Sequence, residues 1–260
     1  MSMGSDWNPG DEPTRLNDPA LERVWGVLNR DVPLGSLTEL RIGMDTAGRP
    51  PLNSDTRFAL GFDTNASFRV GLGVSGADAL DYLRAKHRGP VIIPGQTVQE
   101  VWNNLLSAVE PQARKLRRRF DDLSTEVRDI DISLGASGVA VRDAIDDLLI
   151  SHGDWIDPLS QAAFVATLDV FEAVGTWPYV PRLQFAGLGE IRKSTKTPPG
   201  FLDPVGYGDF FVWADFLFGL AAADPATYEA VVFVTNDVKA DWSRNGVAHP
   251  VLASGFHAGG

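Results

Sequence analysis

Apolar residues fall along the chain in two patterns that alternate. Leu21, Val24, Trp25 and Leu28 recur at helical spacing after Asn17-Asp18-Pro19, a cap followed by proline in the first turn, which predicts a helix over Pro19–Asn29. Phe58–Phe62 is a short unbroken apolar run ending in Asp63 and the turn-prone Thr64-Asn65, the pattern of a buried parallel strand. Further along come a helix at Ala77–His87, a strand at Val91–Ile93 and a long helix opened by Thr97 that carries Glu100. Helices are expected at Val139–Ile150, Leu159–Val174 and Gly208–Ala223, and the clearest strand at Ala230–Thr235. Leu37–Ile42 and His249–Leu252 read as strands, Phe185–Ile191 as strand-like or irregular, and Val238–Arg244 as a short helix. Strands alternating with helices predict an α/β domain with a central parallel sheet flanked by helices.

Composition narrows the class. A chain of 260 residues is one large domain or two small ones, long enough to bury a core without staples. Cysteine is absent, which excludes a disulfide scaffold and any thiolate metal site. Residues 1–20 lack the apolar stretch of a signal peptide, and the apolar run Phe210–Ala223 is too short for a bilayer and interrupted by Asp215. A soluble, cytoplasmic protein without membrane association is the expectation. The net charge of −11 argues against strong non-specific nucleic-acid binding, which rests on cationic side chains. It leaves open an enzyme that approaches phosphate through divalent cations.

Several patterns have a plain and a sharper reading. Ala113, Leu116, Phe120, Leu123, Val127 and Ile130 alternate three and four apart, which describes either a coiled-coil arm or a helix packed in a local hairpin. The run Arg114, Lys115, Arg117, Arg118 and Arg119 is a solvated face or a guide for nucleic acid. Gly71-x-Gly73-x-x-Gly76 has the letters of a dinucleotide loop, with Ser67–Val70 as its strand, but no acid ends the following strand to take a ribose. No nucleophile elbow or Walker A sequence occurs, and the four histidines lack ligand spacing.

The acids are more informative. Asp63 ends a strand, Glu100 lies in the first turn of a helix after a strand, Asp209 starts the apolar helix, and Asp237 follows the last long strand. Singly, each is an ordinary cap or first-turn acid. In an open parallel sheet, however, strand carboxyl ends and the following helix starts share one edge, where ligands bind. Gathered there, the carboxylates repel, and hard oxygen donors call for Mg²⁺ or Mn²⁺.

Five segments taken in order resemble the PIN-like nuclease domains. They are Gly61-Phe62-Asp63-Thr64-Asn65, Ile93-Pro94-x-x-x-Val98-x-Glu100, Pro198-Pro199-Gly200-Phe201-x-Asp203, Tyr207-Gly208-Asp209-x-x-x-Trp213 and Val234-Thr235-Asn236-Asp237-x-Lys239-x-Asp241-Trp242. The resemblance is to the branch with the Pro-Pro-Gly loop and the Thr-x-Asp-x-x-x-Asp-Trp ending. It covers about residues 58–105 and 190–253, and implies an arm and helix over 1–57, a PIN-like domain over 58–255 and a helical insertion at about 106–180. It further implies a Mg²⁺- or Mn²⁺-dependent endoribonuclease, of the kind that serves as a toxin or defence effector. The acidic quartet maps onto Asp63, Glu100, Asp209 and Asp237, with Asp241 as a fifth metal ligand. Asn65, Thr235, Asn236 and Asp203 support it, and Arg192, Lys193 and Lys196 hold the substrate backbone. Tyr207 stacks on a base or belongs to the core. The expected partners are RNA or DNA, a protein partner or antitoxin, and further copies joined through the insertion. The competing readings are a PIN-like binding module acting through its insertion and a structure-specific DNA nuclease.

Overall fold

A computed structural model describes residues 18–45, 52–53, 55–101, 111–129, 136–152, 158–244 and 247–259. They divide between two compact units, one drawn from 1–63, 88–97 and 175–260, the other from 64–87 and 98–174. Most of the expected arm, residues 46–51 and residues 102–110 of the long helix expected after Thr97 lie outside the described residues.

The first unit holds a parallel sheet of four strands, β1 (Phe58–Phe62), β2 (Val91–Ile92), β3 (Gly175–Thr176) and β4 (Ala230–Val234), in the order β3-β2-β1-β4. β1 and β4 are adjacent and in register from Phe58 opposite Ala230 to Phe62 opposite Val234. Their carboxyl ends are therefore level, so Asp63 and Thr235 emerge side by side.

Against the sheet lies the helix Gly208–Ala222, apolar on nearly every face and accordingly buried by neighbours on several sides. It packs on the helix Pro19–Asn29, whose Asp18 caps the first turn by accepting from the Ala20 amide at 2.8 Å. Trp213 and Phe216 from the apolar helix, Phe233 from β4 and Phe256 form an edge-to-face and tilted aromatic cluster, with Trp242 stacked parallel to Phe233. Gly61 makes the close approach to this helix workable: a Cβ there would stand 2.1 Å from the Phe216 ring.

Four local expectations are corrected in this unit. Leu37–Ile42 lies in a helix, Ser36–Met44, with Glu39 in its first turn and Arg41 in its last, matching the helix dipole. That helix packs on Pro250–Gly259, where Ser36 and Ser254 bond at 2.9 Å. Phe185–Ile191 is helical within Arg182–Ser194, because Phe185, Leu188 and Arg192 form one buried face. Val238–Arg244 is not a helix: the Lys239 carbonyl accepts from Trp242 and Ser243 to close a turn, and Ser243–Arg244 (β5) pairs antiparallel with Val247–Ala248 (β6). His249–Leu252 is not a strand either, since Pro250 opens the helix Pro250–Gly259 as its first residue.

The second unit is helical among its described residues. Helices Thr64–Leu72 and Gly76–Ala85 pack on each other and on Pro158–Val174, with Leu83, Phe164, Val170 and Phe171 buried. Gly71 and Gly76 serve packing here. A Cβ on Gly71 would lie 1.7 Å from the Thr167 hydroxyl, and one on Gly76 2.3 Å from the Gly71 carbonyl. Ser67–Val70 is helix rather than strand, which removes the dinucleotide-loop reading. Helix Pro111–Asp129 packs against Ala136–His152, with Val127 and Ile145 buried and Leu123 exposed, so of the apolar seam Val127 is a buried position. Ile130, its last position, lies outside the described residues. No helix among the described residues is long and apolar enough to cross a membrane.

Candidate active site

At the level carboxyl ends of β1 and β4 the chain builds a continuous polar network. The Thr235 hydroxyl donates to Asp63 Oδ2, the Asn236 amide donates to the same oxygen at 3.3 Å, and the Asp237 amide donates to Thr235 Oγ1 at 2.9 Å. One hydroxyl thus fixes both strand-end acids. Asp237 then folds its own turn, its Oδ1 accepting from the Lys239 amide at 2.7 Å.

That turn points the Lys239 side chain back into the acids. Its ammonium reaches Asp203 Oδ1 at 2.5 Å, Asp209 Oδ2 at 2.7 Å and Asp237 Oδ2 at 2.9 Å. Asp209 comes from the first turn of the apolar helix, and its Oδ2 also accepts from Trp242 Nε1 at 2.9 Å. Asp203 comes from the loop after Pro198-Pro199-Gly200, where the peptide bond between the prolines is cis. Gly200, at φ +86°, lets this loop touch the helix start, since a Cβ would sit 3.1 Å from that of Asp209.

The electrostatics follow from these contacts. Partial burial acts to lower the Lys239 pKa, but the bonds from Asp203, Asp209 and Asp237 outweigh it and hold the ammonium well above the ordinary lysine range. Burial raises the Asp209 carboxyl above its ordinary value, against the opposing pull of Lys239 and Trp242. The side chains of Asp203, Asp209 and Asp237 keep 20%, 23% and 16% of their surface exposed, and Lys239 keeps 33%, so this cluster is open to solvent. A cavity of about 500 Å³ adjoins it, lined in part by Asn236, Asp237, Trp213, Phe233, Trp242 and Phe256.

The remaining expected site residues make contacts of their own. Glu100 belongs to the second unit, in the helical residues 95–101, and accepts from the Thr64 hydroxyl at 2.6 Å. Asn65 is an exposed residue near the start of Thr64–Leu72 in that same unit. Asp241, read from sequence as a metal ligand, is fully buried, and its Oδ2 accepts from the Gly200 and Leu202 amides at 2.9 and 3.2 Å. It ties down the Pro-Pro-Gly loop.

Arg192 is likewise turned inward. It is buried and donates to the Leu28 and Pro198 carbonyls, and burial together with Arg30 lowers its pKa to about 10. Lys193 donates to the Gly206 carbonyl at 3.1 Å and lies over the Tyr207 ring, while Lys196 is exposed in the left-handed region. Tyr207 is therefore engaged by a lysine rather than lining the cavity.

The sequence reading passed over two groups. Lys239 stood inside a quoted motif without a role, and Asp215 was noted only as an interruption. Asp215 is fully buried, accepting from the Val180 and Gln96 amides at 2.8 Å and from both terminal nitrogens of Arg182 at 2.7 Å. A lone acid in an apolar run was the available signal, because a charge there needs partners.

Residues 183–251 match the family model of a PIN-like domain. The matched segment contains Asp203, Asp209, Asp237, Lys239 and Asp241, and the chain supplies Asp63 from outside it. The α/β architecture with its parallel sheet agrees with that assignment. PIN-like domains are generally nucleases and usually use divalent metals. Neither a curated protein nor a solved structure matches the chain.

The donor chemistry of the PIN-like segment and Asp63 suits such an ion: carboxylate oxygens are the hard ligands Mg²⁺ and Mn²⁺ take. Three of the four aspartates already converge on a positive charge, the Lys239 ammonium. With that ammonium among them, no group of three or more acids or histidines among the described residues has the arrangement of a metal cage. The residues fit the ion by type, and Lys239 pairs with three of them.

Proposed function

We propose that this chain is a metal-dependent endoribonuclease that hydrolyses phosphodiester bonds in RNA. The observation that carries the reading is the single network joining Asp63, Thr235, Asp237, Lys239, Asp209 and Asp203 at the carboxyl ends of two adjacent parallel strands. Strand ends in such a sheet are where ligands bind, and these hold four carboxylates from four chain segments.

Asp63 and Asp237 would anchor a Mg²⁺ or Mn²⁺ ion, with Asp209 and Asp203 completing its shell directly or through water. Bound there, the ion would polarise the scissile phosphate and lower the pKa of a water. The chain's own contribution is positional. Thr235 fixes the separation of Asp63 and Asp237, and Trp242 holds Asp209 by one oxygen. The cavity beside Asp237, lined also by Thr235 and Asn236, would receive an unpaired base. Lys193 and Lys196 would meet backbone phosphate, a task that Arg192 is too buried to share. The reading rests on the four aspartates and assigns no role to Glu100 or Asp241.

A second reading, a binding module without catalysis, is favoured by one observation: the Lys239 ammonium pairs with Asp203, Asp209 and Asp237. Labelled single-stranded RNA and DNA of one sequence, incubated with Mg²⁺, Mn²⁺ or EDTA, separate the two. The nuclease reading expects RNA cleavage that EDTA abolishes and that Asp63→Asn and Asp237→Asn each lower by at least about 100-fold, since even loss of a residue behind a metal ligand costs 10–100-fold. Cleavage undiminished in both variants would overturn it. No cleavage of either polymer with either ion favours the binding module, and cleavage confined to DNA replaces the substrate.

A further inference from the structure

The geometry points to Lys239 as a built-in counter-ion of the acid cluster, one that a divalent cation must displace. This rests on the metal-dependent reading above and concerns what the chain does before the ion arrives. Three observations support it. The ammonium meets three carboxylates from three separate segments, Asp203 in the loop, Asp209 on the helix and Asp237 after β4, all within 2.9 Å. Those contacts engage one oxygen of each carboxylate, Asp203 Oδ1, Asp209 Oδ2 and Asp237 Oδ2. A third of the lysine side chain is exposed, so a flexible four-carbon stem has a way out to solvent without disturbing the core.

The consequence is a competition. Without metal, Lys239 holds together acids that would otherwise repel and splay. When Asp209 and Asp237 turn their oxygens to a divalent ion, the ammonium leaves for the cluster's mouth, where an incoming phosphate would meet it. Metal affinity is therefore set partly by a residue that is not a ligand. Each partly exposed contact contributes a fraction of a kcal/mol, and three together amount to about tenfold in affinity.

The test uses the full chain, stripped with EDTA and titrated with Mn²⁺ by calorimetry, comparing wild type with Lys239→Met and Lys239→Arg. Lys239→Met is expected to bind Mn²⁺ about tenfold more tightly than wild type, and Lys239→Arg, which keeps the charge, about as wild type. Melting without metal should be lower for Lys239→Met, and the gain on adding Mn²⁺ larger. A second measurement needs no variant. Acetylation of lysines in the wild type, mapped by mass spectrometry, should rise several-fold at Lys239 when Mn²⁺ saturates and stay level at Lys196. Unchanged or weaker Mn²⁺ binding by Lys239→Met, or unchanged labelling of Lys239 in a wild type that does bind Mn²⁺, overturns the displacement while leaving the nuclease reading standing. A wild type and a folded Lys239→Met that both bind no Mn²⁺ overturn the two together.

Discussion

Removing the buried acid of the apolar helix tests the account of what holds the sheet-side loop in place. Asp215 is fully buried and accepts four hydrogen bonds, two from the Gln96 and Val180 amides and two from Arg182. Asp215→Ala would strand all four donors. The Val180 amide is buried with its residue, and an orphaned buried donor costs about 1–3 kcal/mol. Breaking a buried pair from one side costs about 3–5 kcal/mol, because the other charge is left uncompensated. Arg182 keeps a third of its side chain exposed and lies 4.4 Å over the Phe211 ring, so water and the ring absorb part of that penalty. The two effects overlap rather than add, and the expected loss is about 3–5 kcal/mol, or about 2–4 °C in melting temperature for each kcal/mol in a chain of this size.

Urea unfolding followed by tryptophan fluorescence reads it directly, since Trp213 lies two residues away on the same buried helix. The double variant Asp215→Leu with Arg182→Met removes both charges, so it should recover at least about 1 kcal/mol of the loss. A midpoint for Asp215→Ala within about 1 kcal/mol of wild type, on the scale of an exposed pair, would show that this carboxylate does not organise the Gln96 and Val180 segments.

Three further outcomes are expected. Gly61→Ala places a Cβ 2.1 Å from the Phe216 ring and should cost about 1–3 kcal/mol in the same urea assay, while unchanged stability would mean that β1 and the apolar helix can part freely. Asp241→Asn keeps the shape but gives up the carboxylate held by the Gly200 and Leu202 amides, so hydrogen exchange at those two amides should speed up; unaltered protection would remove Asp241 as the anchor of the loop. His249 has its pKa lowered mainly by burial, and its Nδ1 accepts from the Val251 amide at 3.2 Å. The unfolded chain therefore binds the extra proton first, and the contribution of this residue is complete above the unfolded value of about 6.5 and is lost as pH falls below it. Urea midpoints at pH 7.5 and 5.5 should differ less in His249→Gln than in wild type, and an equal difference would exclude His249 as a source of acid sensitivity.

The long elements were legible because each is specified locally. A cap and proline announce Pro19–Asn29, and unbroken apolar runs announce β1 and β4. Asp63, Asp209 and Asp237 followed from their place at strand ends and a helix start. The misread segments are short, and their state is decided by what they pack against. Phe185, Leu188 and Arg192 make a helical face only once an arginine counts as a core position, which happens because the Leu28 and Pro198 carbonyls receive it. Lys239 was illegible for a related reason. A lysine between two aspartates in sequence reads as surface charge, and its convergence with Asp203 and Asp209 depends on a loop and a helix more than 25 residues earlier. Glu100 begins a helix after a strand as expected, and its carboxylate accepts from the hydroxyl of Thr64, the residue that follows Asp63.

Burial separates Asp215 and Asp241 from Asp203, Asp209 and Asp237. Asp215 and Asp241 are fully enclosed: Asp215 meets two backbone amides and the Arg182 guanidinium, and Asp241 Oδ2 meets the Gly200 and Leu202 amides. Asp203, Asp209 and Asp237 remain partly open to water, and the charge that meets them is on a side chain with an exit. The Thr-x-Asp-x-Lys-x-Asp-Trp stretch contains both kinds four residues apart, so its second aspartate builds the loop while its first belongs to the open cluster. A chain with net charge −11 faces repulsion from any polyanion, and Arg192 has been drawn into the core where it cannot help. The positive charge nearest the acids is then Lys239 itself, and its release on metal binding would place that charge where phosphate arrives. On the proposed reading, an acidic chain would meet RNA through the same cation that holds its acid cluster together.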